Sequence, residues 1–237
     1  MFNFFKPKKV HALGIVAHPD DESFLFAGTS LKFADEGKEM VVICATKGEK
    51  GHDRLGRNLS EDEMATLRVA ELKKACSILH CRCENYFKYQ DGGLDKVDNK
   101  KLVHELTEKI EHYQPEIILT FGPEGVSGHR DHIVIGKAAV AAANQSKHKV
   151  KEIWLSSMPA SSIAAFNEHL TTRKVHHTHF EKQILEGVPD DRLLKIDIEK
   201  YAEAKHLALK AHESQYLPHF FLEAFSKYEC YEVIKMP

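Results

Sequence analysis

Short, solidly apolar runs alternate along this chain with longer stretches whose apolar residues return every third or fourth position. The strand-like runs are Val10–Ala17, Met40–Thr46, Asn85–Tyr89, Glu116–Phe121 and Glu152–Ser156. Their length and β-branched content predict strands buried on both faces. Between them, Ser23–Glu36, Glu61–Leu79, Asn99–Tyr113 and Asp131–Asn144 predict helices. Within Glu61–Leu79 the residues Met64, Leu67, Ala70, Ala75, Ile78 and Leu79 recur close to the period of one helix face. Ser23 offers an N-cap to the first helix and Gly37 a residue that ends it, while Pro115 stops the third.

This βαβα order predicts an α/β fold, a mostly parallel sheet with helices on both faces. From about Ser157 the pattern weakens. Leu193–Ile198 reads as a strand and Glu199–His212 as a helix. No repeat or low-complexity linker interrupts residues 1–237, which read as one domain with residues 1–8 as a frayed tail.

Two polar knots break the apolar pattern where strands end. His18-Pro19-Asp20-Asp21-Glu22 follows the first strand, and Gly128-His129-Arg130-Asp131-His132 follows Ile117–Phe121. Ligands of parallel sheets bind beyond the carboxyl ends of strands, near the switch in strand order. Zinc accepts imidazole and carboxylate ligands and, in catalytic sites, keeps a position open. His18 and Asp21, three apart across a turn, can converge on one ion, and His132 completes a two-histidine, one-carboxylate set. Asp20 is then spare and suits a general base that takes a proton from water. His129 could present an imidazolium to a developing oxyanion, and Asp131 could orient one of the histidines.

Composition narrows the field. An apolar content of 43% and a charged content of 29% suit a water-soluble globular chain, and a net charge of −2 without a basic stripe argues against a nucleic-acid partner. No apolar run approaches the ~20 residues that span a bilayer, so no integral membrane segment is expected. Five cysteines, an odd number without a secretory signal, read as reduced thiols, buried or half-buried, in a cytoplasmic protein.

The pairing of Ala17–Glu22 (AHPDDE) with His129–His132 (H-x-D-H) resembles the PIG-L/LmbE-like zinc-dependent N-acetylglucosamine de-N-acetylases. The resemblance extends to Arg68-x-x-Glu71, to Asp91-Gly92 and to Ala211-His212-Glu213-Ser214-Gln215, and so covers Val10 to about Tyr216. It implies a Rossmann-like fold, His18, Asp21 and His132 as ligands of one Zn2+, Asp20 as general base and His129 as the residue that stabilises the oxyanion. Arg130 departs from the proline usual in that family, which leaves the ligands in place and brings a cation toward the substrate.

The expected reaction is hydrolysis of an acetamide on an N-acetylglucosamine-containing substrate. Alternatives are an amidase for another N-acyl group, a non-haem iron(II) oxygenase, whose facial triad has the same ligand types, and a sugar-binding module without catalysis. Arg68, Arg130 and His212 are the candidates for substrate contact. Arg68 could instead form a plain helix-surface pair with Glu71, and His212 could simply cap the last helix. Lys47–Ser60, polar and glycine-bearing, reads as a solvent loop or as a flap over the metal, with Gly122–Gly128 as the opposite wall. His176, His177 and His179 alternate in a strand-like run and offer a weaker second metal site. Other divalent metals, the aglycone and a homo-oligomer stay open.

Overall fold

The computed structural model describes residues 8–84, 89–163, 186–215 and 226–237. The tail at 1–7, most of the run Asn85–Tyr89 and the group His176, His177 and His179 lie outside these residues. Among the described residues, seven strands form one sheet: β1 (Ala12–Val16), β2 (Met40–Cys44), β3 (Arg82–Cys83), β4 (Ile117–Phe121), β5 (Glu152–Ser156), β6 (Leu194–Asp197) and β7 (Tyr228–Lys235). They lie in the order β3-β2-β1-β4-β5-β7-β6. The first five run parallel, and β7 pairs antiparallel to both β5 and β6. Every residue of β1, β2 and β4 is buried, as their unbroken apolar sequence requires of strands covered on both faces.

The strand order reverses at β1. From there the chain steps outward to β2 and β3, then returns to place β4 on the other side. Right-handed crossovers therefore set the helices of the two halves on opposite faces and leave a crevice beyond the carboxyl ends of β1 and β4. On one side α4 (Asn99–Tyr113) packs on α6 (Arg130–Gln145); on the other, α2 (Ala27–Asp35), α3 (Glu61–Ile78) and α7 (Ala202–Ala211) pack together. A second apolar cluster, including Ala27, Leu31, Ala75, Leu79, Ile198 and Ala208, fills the space among those three helices.

Local chemistry explains the helix boundaries. Ser60 and Glu63 form a reciprocal capping box at the start of α3. Asp98 accepts from the Lys100 amide to cap α4, which ends on Gln114 at φ 44° before Pro115. The expected helix Ser23–Glu36 is instead broken into α1 (Asp21–Leu25) and α2, and Ser23 lies inside α1 while Asp20 takes the N-cap. Phe26 makes the break, at φ −150° and fully buried. Its ring fills the space that a side chain at Gly14 would occupy, since a Cβ there would meet Phe26 Cζ at 2.8 Å. The new helix start is capped from far away. The Gly28 and Thr29 amides donate to the Glu229 carboxylate at 2.9 and 2.8 Å.

Neither β7 nor the two-residue β3 was anticipated; of the strand expected over Asn85–Tyr89 only Tyr89 is among the described residues, where it forms an isolated bridge to Thr46. The helix expected over Glu199–His212 begins as a 3-10 turn, Glu199–Tyr201, and continues as α7.

Candidate active site

The turn after β1 is closed by Asp21. Its Oδ2 accepts the amides of Ala17 and His18 at 3.2 and 2.7 Å, which turns Oδ1 outward toward the crevice. After β4 the chain passes through a tight helical turn, α5 (Gly125–Gly128), and enters α6 with His129 as N-cap; His129 Nδ1 accepts the Asp131 amide at 3.1 Å. His132, in the first turn of α6, stacks on Phe121, ring centroids 4.0 Å apart and 14° from parallel.

Three side chains from these two turns face one another, Asp21 turning a different oxygen toward each histidine. His18 Nδ1 lies 3.1 Å from His132 Nε2, which lies 3.2 Å from Asp21 Oδ1, and His18 Nδ1 is 3.6 Å from Asp21 Oδ2. Tetrahedral zinc with bonds of ~2.0–2.2 Å holds its ligand atoms about 3.4 Å apart. The donor types suit one such ion, and the two edges that meet at His132 Nε2 are close to that spacing.

The outward nitrogens of both histidines are already engaged. His132 Nδ1 lies 3.0 Å from the Gly125 carbonyl, so it carries the proton and leaves Nε2 its lone pair. His18 Nε2 lies 3.1 Å from Asp91 Oδ1 and 3.3 Å from Asp131 Oδ2. Those carboxylates are fixed in turn by the Lys50 amide on Asp91 and by the Gly92 and Leu94 amides on Asp131. Such outer partners set the tautomer and ring orientation of metal-binding histidines. His18, Asp91 and Asp131 could themselves hold an ion, as could His18, His129 and His132. The amide bonds to Asp91 and Asp131 favour their role as supports for His18.

The electrostatics follow from this crowding. Burial pushes the His18 pKa down, but hydrogen bonds to Asp131 and Asp91 and the charges of Asp91 and Asp21 prevail and raise it to about 10. Burial raises the Asp21 carboxyl, and His132 and His18 outweigh it, holding Asp21 well below the usual carboxylate range. His129 is pushed down to about 3 by burial and by the charges of His18 and His132. It is therefore neutral near pH 7, with Nδ1 as acceptor and the proton on Nε2. The imidazolium expected from sequence is replaced by a neutral donor.

Asp20 sits beside the triangle under a different set of forces. Its backbone has φ 111°, a left-handed conformation costly for any residue with a Cβ, and such strain persists only where surroundings over-determine it. Arg68 supplies part of that constraint. Its guanidinium donates to the Pro19 carbonyl, to Asp20 Oδ2 at 3.1 Å and to the Gly48 carbonyl at 2.9 Å. Burial raises the Asp20 pKa, Arg68 opposes it, Asp21 and Glu22 add to it, and the carboxyl ends at about 6.

Two of the expected substrate contacts are thereby corrected. Arg68 is neither a surface partner of Glu71 nor open to the crevice: it is 4% exposed and committed to Asp20 and two carbonyls. Glu71 instead accepts from the amide and hydroxyl of Ser214 at 2.8 and 2.7 Å. His212, 1% exposed at the end of α7, turns inward, its Nε2 2.7 Å from Glu22 Oε1. Arg130 does stand exposed at the rim, 3.7 Å from Asp95. Lys47–Ser60 is tethered at Gly48 and Lys50, and by the Arg54 amide to the Ser214 carbonyl.

Sequence reasoning gave no separate role to Glu22 or Asp91, and Glu71 only a surface pairing with Arg68. Each stood inside a quoted motif, and the missing signal was the distant partner: His212, His18 and Ser214. The five cysteines are free thiols, Cys44 and Cys76 buried and Cys81, Cys83 and Cys230 half-buried, as expected.

A family model described as PIG-L, GlcNAc-PI de-N-acetylase, matches residues 13–143. A protein of Thermomonospora curvata named 1D-myo-inositol 2-acetamido-2-deoxy-alpha-D-glucopyranoside deacetylase is 28% identical over 236 residues, covering 86% of this chain and 80% of its own. Two solved structures share the fold. N,N'-diacetylchitobiose deacetylase from Pyrococcus horikoshii superposes with a TM-score of 0.66 at 19% identity, over 98% of this chain and 85% of that one. The 4-carboxy-2-hydroxymuconate hydratase of Pseudomonas putida does so with a TM-score of 0.64 at 19% identity, over 92% and 83%. One fold thus serves different reactions, and the residues of the site must decide between them. The matched family model spans both turns that bring the donor atoms together, and the chain belongs to the PIG-L family.

Proposed function

We propose that this protein is a zinc-dependent hydrolase that removes the acetyl group from an N-acetylglucosamine-containing substrate. The observation that carries this reading is the triangle of His18, Asp21 and His132 with a separately clamped carboxylate, Asp20, alongside it. The sugar-deacetylase names of similar proteins support the substrate class.

His18, Asp21 and His132 would hold the ion, which when bound would supply the Lewis acidity that acidifies water and polarises an amide carbonyl. Asp20, with its carboxyl raised to about 6, is ionised at neutral pH yet basic enough to take a proton from the attacking water. The same carboxyl returns that proton to the leaving amine. His129 Nε2–H, neutral and half-buried, donates to the oxygen on which charge develops. Asp91 and Asp131 hold the His18 ring in the tautomer that directs Nδ1 inward. Arg130, at the rim, meets the aglycone. The free thiols fit a reducing compartment such as the cytoplasm, and no helix among the described residues is long and apolar enough to cross a membrane.

The test is acetate release from a panel of N-acetylglucosaminides that differ in aglycone, with zinc-loaded and chelator-treated protein compared. Zinc-dependent release from at least one glycoside supports the reading. Release only from N-acyl compounds that are not sugars would replace its substrate class, and no release from any amide would overturn it.

A further inference from the structure

Two residues behind the crevice have no part in the reaction just described, yet they converge on its base. Glu22 is fully buried and His212 is 1% exposed. The Glu22 carboxylate bridges two parts of the chain. Its Oε1 lies 2.7 Å from His212 Nε2 and accepts from Ser23 Oγ at 2.6 Å, while Oε2 accepts the Asp20 backbone amide at 3.0 Å. That amide belongs to the residue with φ 111°.

We propose that His212 and Glu22 are positioning residues that hold Asp20 in its left-handed backbone, so that its carboxylate stays aimed at the reacting water. The proposal deepens the deacetylase reading and rests on it for its kinetic half. A strained conformation relaxes unless its neighbours oppose every exit. At Asp20 the opposition comes from both sides of the peptide chain. Arg68 fixes the Pro19 carbonyl and Asp20 Oδ2, and Glu22 fixes the amide. Glu22 can do so only while its other oxygen is tied down.

His212 supplies that tie from the end of α7, which is itself fixed to α3. Two residues beyond it, Ser214 is bound through its amide and hydroxyl to Glu71, one helical turn from Arg68. The two arms that grip Asp20 therefore share one rigid base. His212 and Ser214, two apart and some eighty or more residues after the proposed ligands, thus share one task.

The experiment combines kinetics with structure. His212→Ala should lower kcat at least tenfold while KM stays within twofold and zinc content is unchanged. His212→Gln keeps a side-chain N–H for Glu22 and should recover most of that loss. In an Asp20→Asn background, His212→Ala should change the residual rate by less than twofold, because there is no carboxylate left to aim. A loss that appears in KM or in zinc content, a full multiplicative loss on top of Asp20→Asn, or a His212→Gln variant no better than His212→Ala would each overturn the proposal. Glu22→Met, close in size but with no oxygen to accept the Asp20 amide, guards against misfolding: it should reproduce the kcat loss with the fold intact by circular dichroism. A crystal structure of the zinc-loaded His212→Ala protein decides independently of substrate. Asp20 should leave the positive-φ region, and its retention there sinks the proposal. Failure of the wild type to cleave any acetamide would remove the deacetylase reading and leave this structural readout standing.

Discussion

The five parallel strands and the antiparallel pair at the carboxyl end belong to one sheet but contribute to the site in opposite ways. The parallel part, with the turns after β1 and β4, carries all the proposed ligand atoms and both groups proposed to handle protons or charge. The part built from β6, α7 and β7 carries none of these. It supplies instead the buried polar groups that hold the first part in shape: Glu229 on the start of α2, Lys205 on the Phe24 carbonyl, His212 on Glu22 and Ser214 on Glu71. Reactive groups follow from short local patterns, whereas their aim depends on contacts formed across most of the chain.

If that division holds, variants in the parallel part should lose metal or chemistry with the fold intact. The largest effect is expected at the ligands. Removing outer support of a metal ligand costs ~10–100-fold in affinity, so Asp21→Ala or His132→Ala should weaken zinc binding by at least about 100-fold and abolish turnover, read by chelator competition beside an unchanged circular dichroism spectrum.

Asp20→Asn comes next, with kcat down by roughly 10²–10⁴ and zinc retained. The same variant should raise the melting temperature at pH 7. The Asp20 carboxyl is raised in the folded chain to about 6, above its unfolded value near ~3.9. Ionisation is therefore harder in the folded state, and a destabilising contribution grows as pH climbs through that window and is complete above it. Asparagine removes the contribution, so its advantage should shrink as pH is lowered to 4. An advantage independent of pH would break the account of Asp20 as a strained, partly desolvated acid.

Variants in the carboxyl-end part should show in stability first. Lys205 and Glu229 are 3% and 4% exposed and paired at 2.7 Å. Lys205→Met would leave Glu229 buried without its cation, a change that costs ~3–5 kcal/mol. Denaturant titration should show that loss, while zinc stoichiometry of the protein that remains folded is unchanged.

The same division explains what could be read from the chain beforehand. β1, β2, β4 and β5, α3, α4 and α6 were legible because each buries its own apolar pattern and carries its own stop signals. His18, Asp20 and Asp21 stand out because they follow directly on the end of β1, and His132 because it lies in the first turn of the helix that follows β4. The break at Phe26 was not, since it depends on the missing side chain at Gly14 and on a carboxylate some two hundred residues away. β7 was missed because in its sequence, YECYEVIK, the charged residues Glu229, Glu232 and Lys235 fall every third position, which breaks the alternation that marks a half-buried strand. Arg68 and His212 were located in the right motifs, and His212 does close α7, but their partners Asp20 and Glu22 were out of reach of the pattern. A spacing rule reports which residues share a helix face but not what lies across from it.

Proton linkage sharpens the comparison more gently. In the metal-free chain His18 is raised to about 10, above the unfolded value near ~6.5. Its contribution to stability is fully present below the unfolded value and is lost as pH rises through the folded one. A ligand must shed its proton, so zinc uptake should release one proton per site and weaken about tenfold for each pH unit lowered between roughly 9 and 7. Calorimetry in buffers of different ionisation enthalpy measures the release directly. Zinc-loaded protein should hold its melting temperature between pH 7 and 10, where the metal-free protein declines.

The smallest effect is expected at Arg130, an exposed residue of the parallel part. It occupies the first position of α6, where proline needs no amide partner and already has the helical φ. Its link to Asp95, at 3.7 Å with the arginine side chain 57% exposed, belongs to a class worth ~0–1 kcal/mol. Arg130→Pro should therefore leave stability within about 0.5 kcal/mol and zinc content unchanged. What it removes is a cation at the mouth of the crevice. For glycosides with an anionic aglycone KM should rise by a few-fold, on the order of one exposed charge pair, with kcat unaltered and neutral glycosides untouched. An equal change for neutral and anionic aglycones would mean that the side chain shapes the loop between His129 and His132 instead of meeting the substrate, and would move Arg130 from recognition to the support of the two histidines beside it.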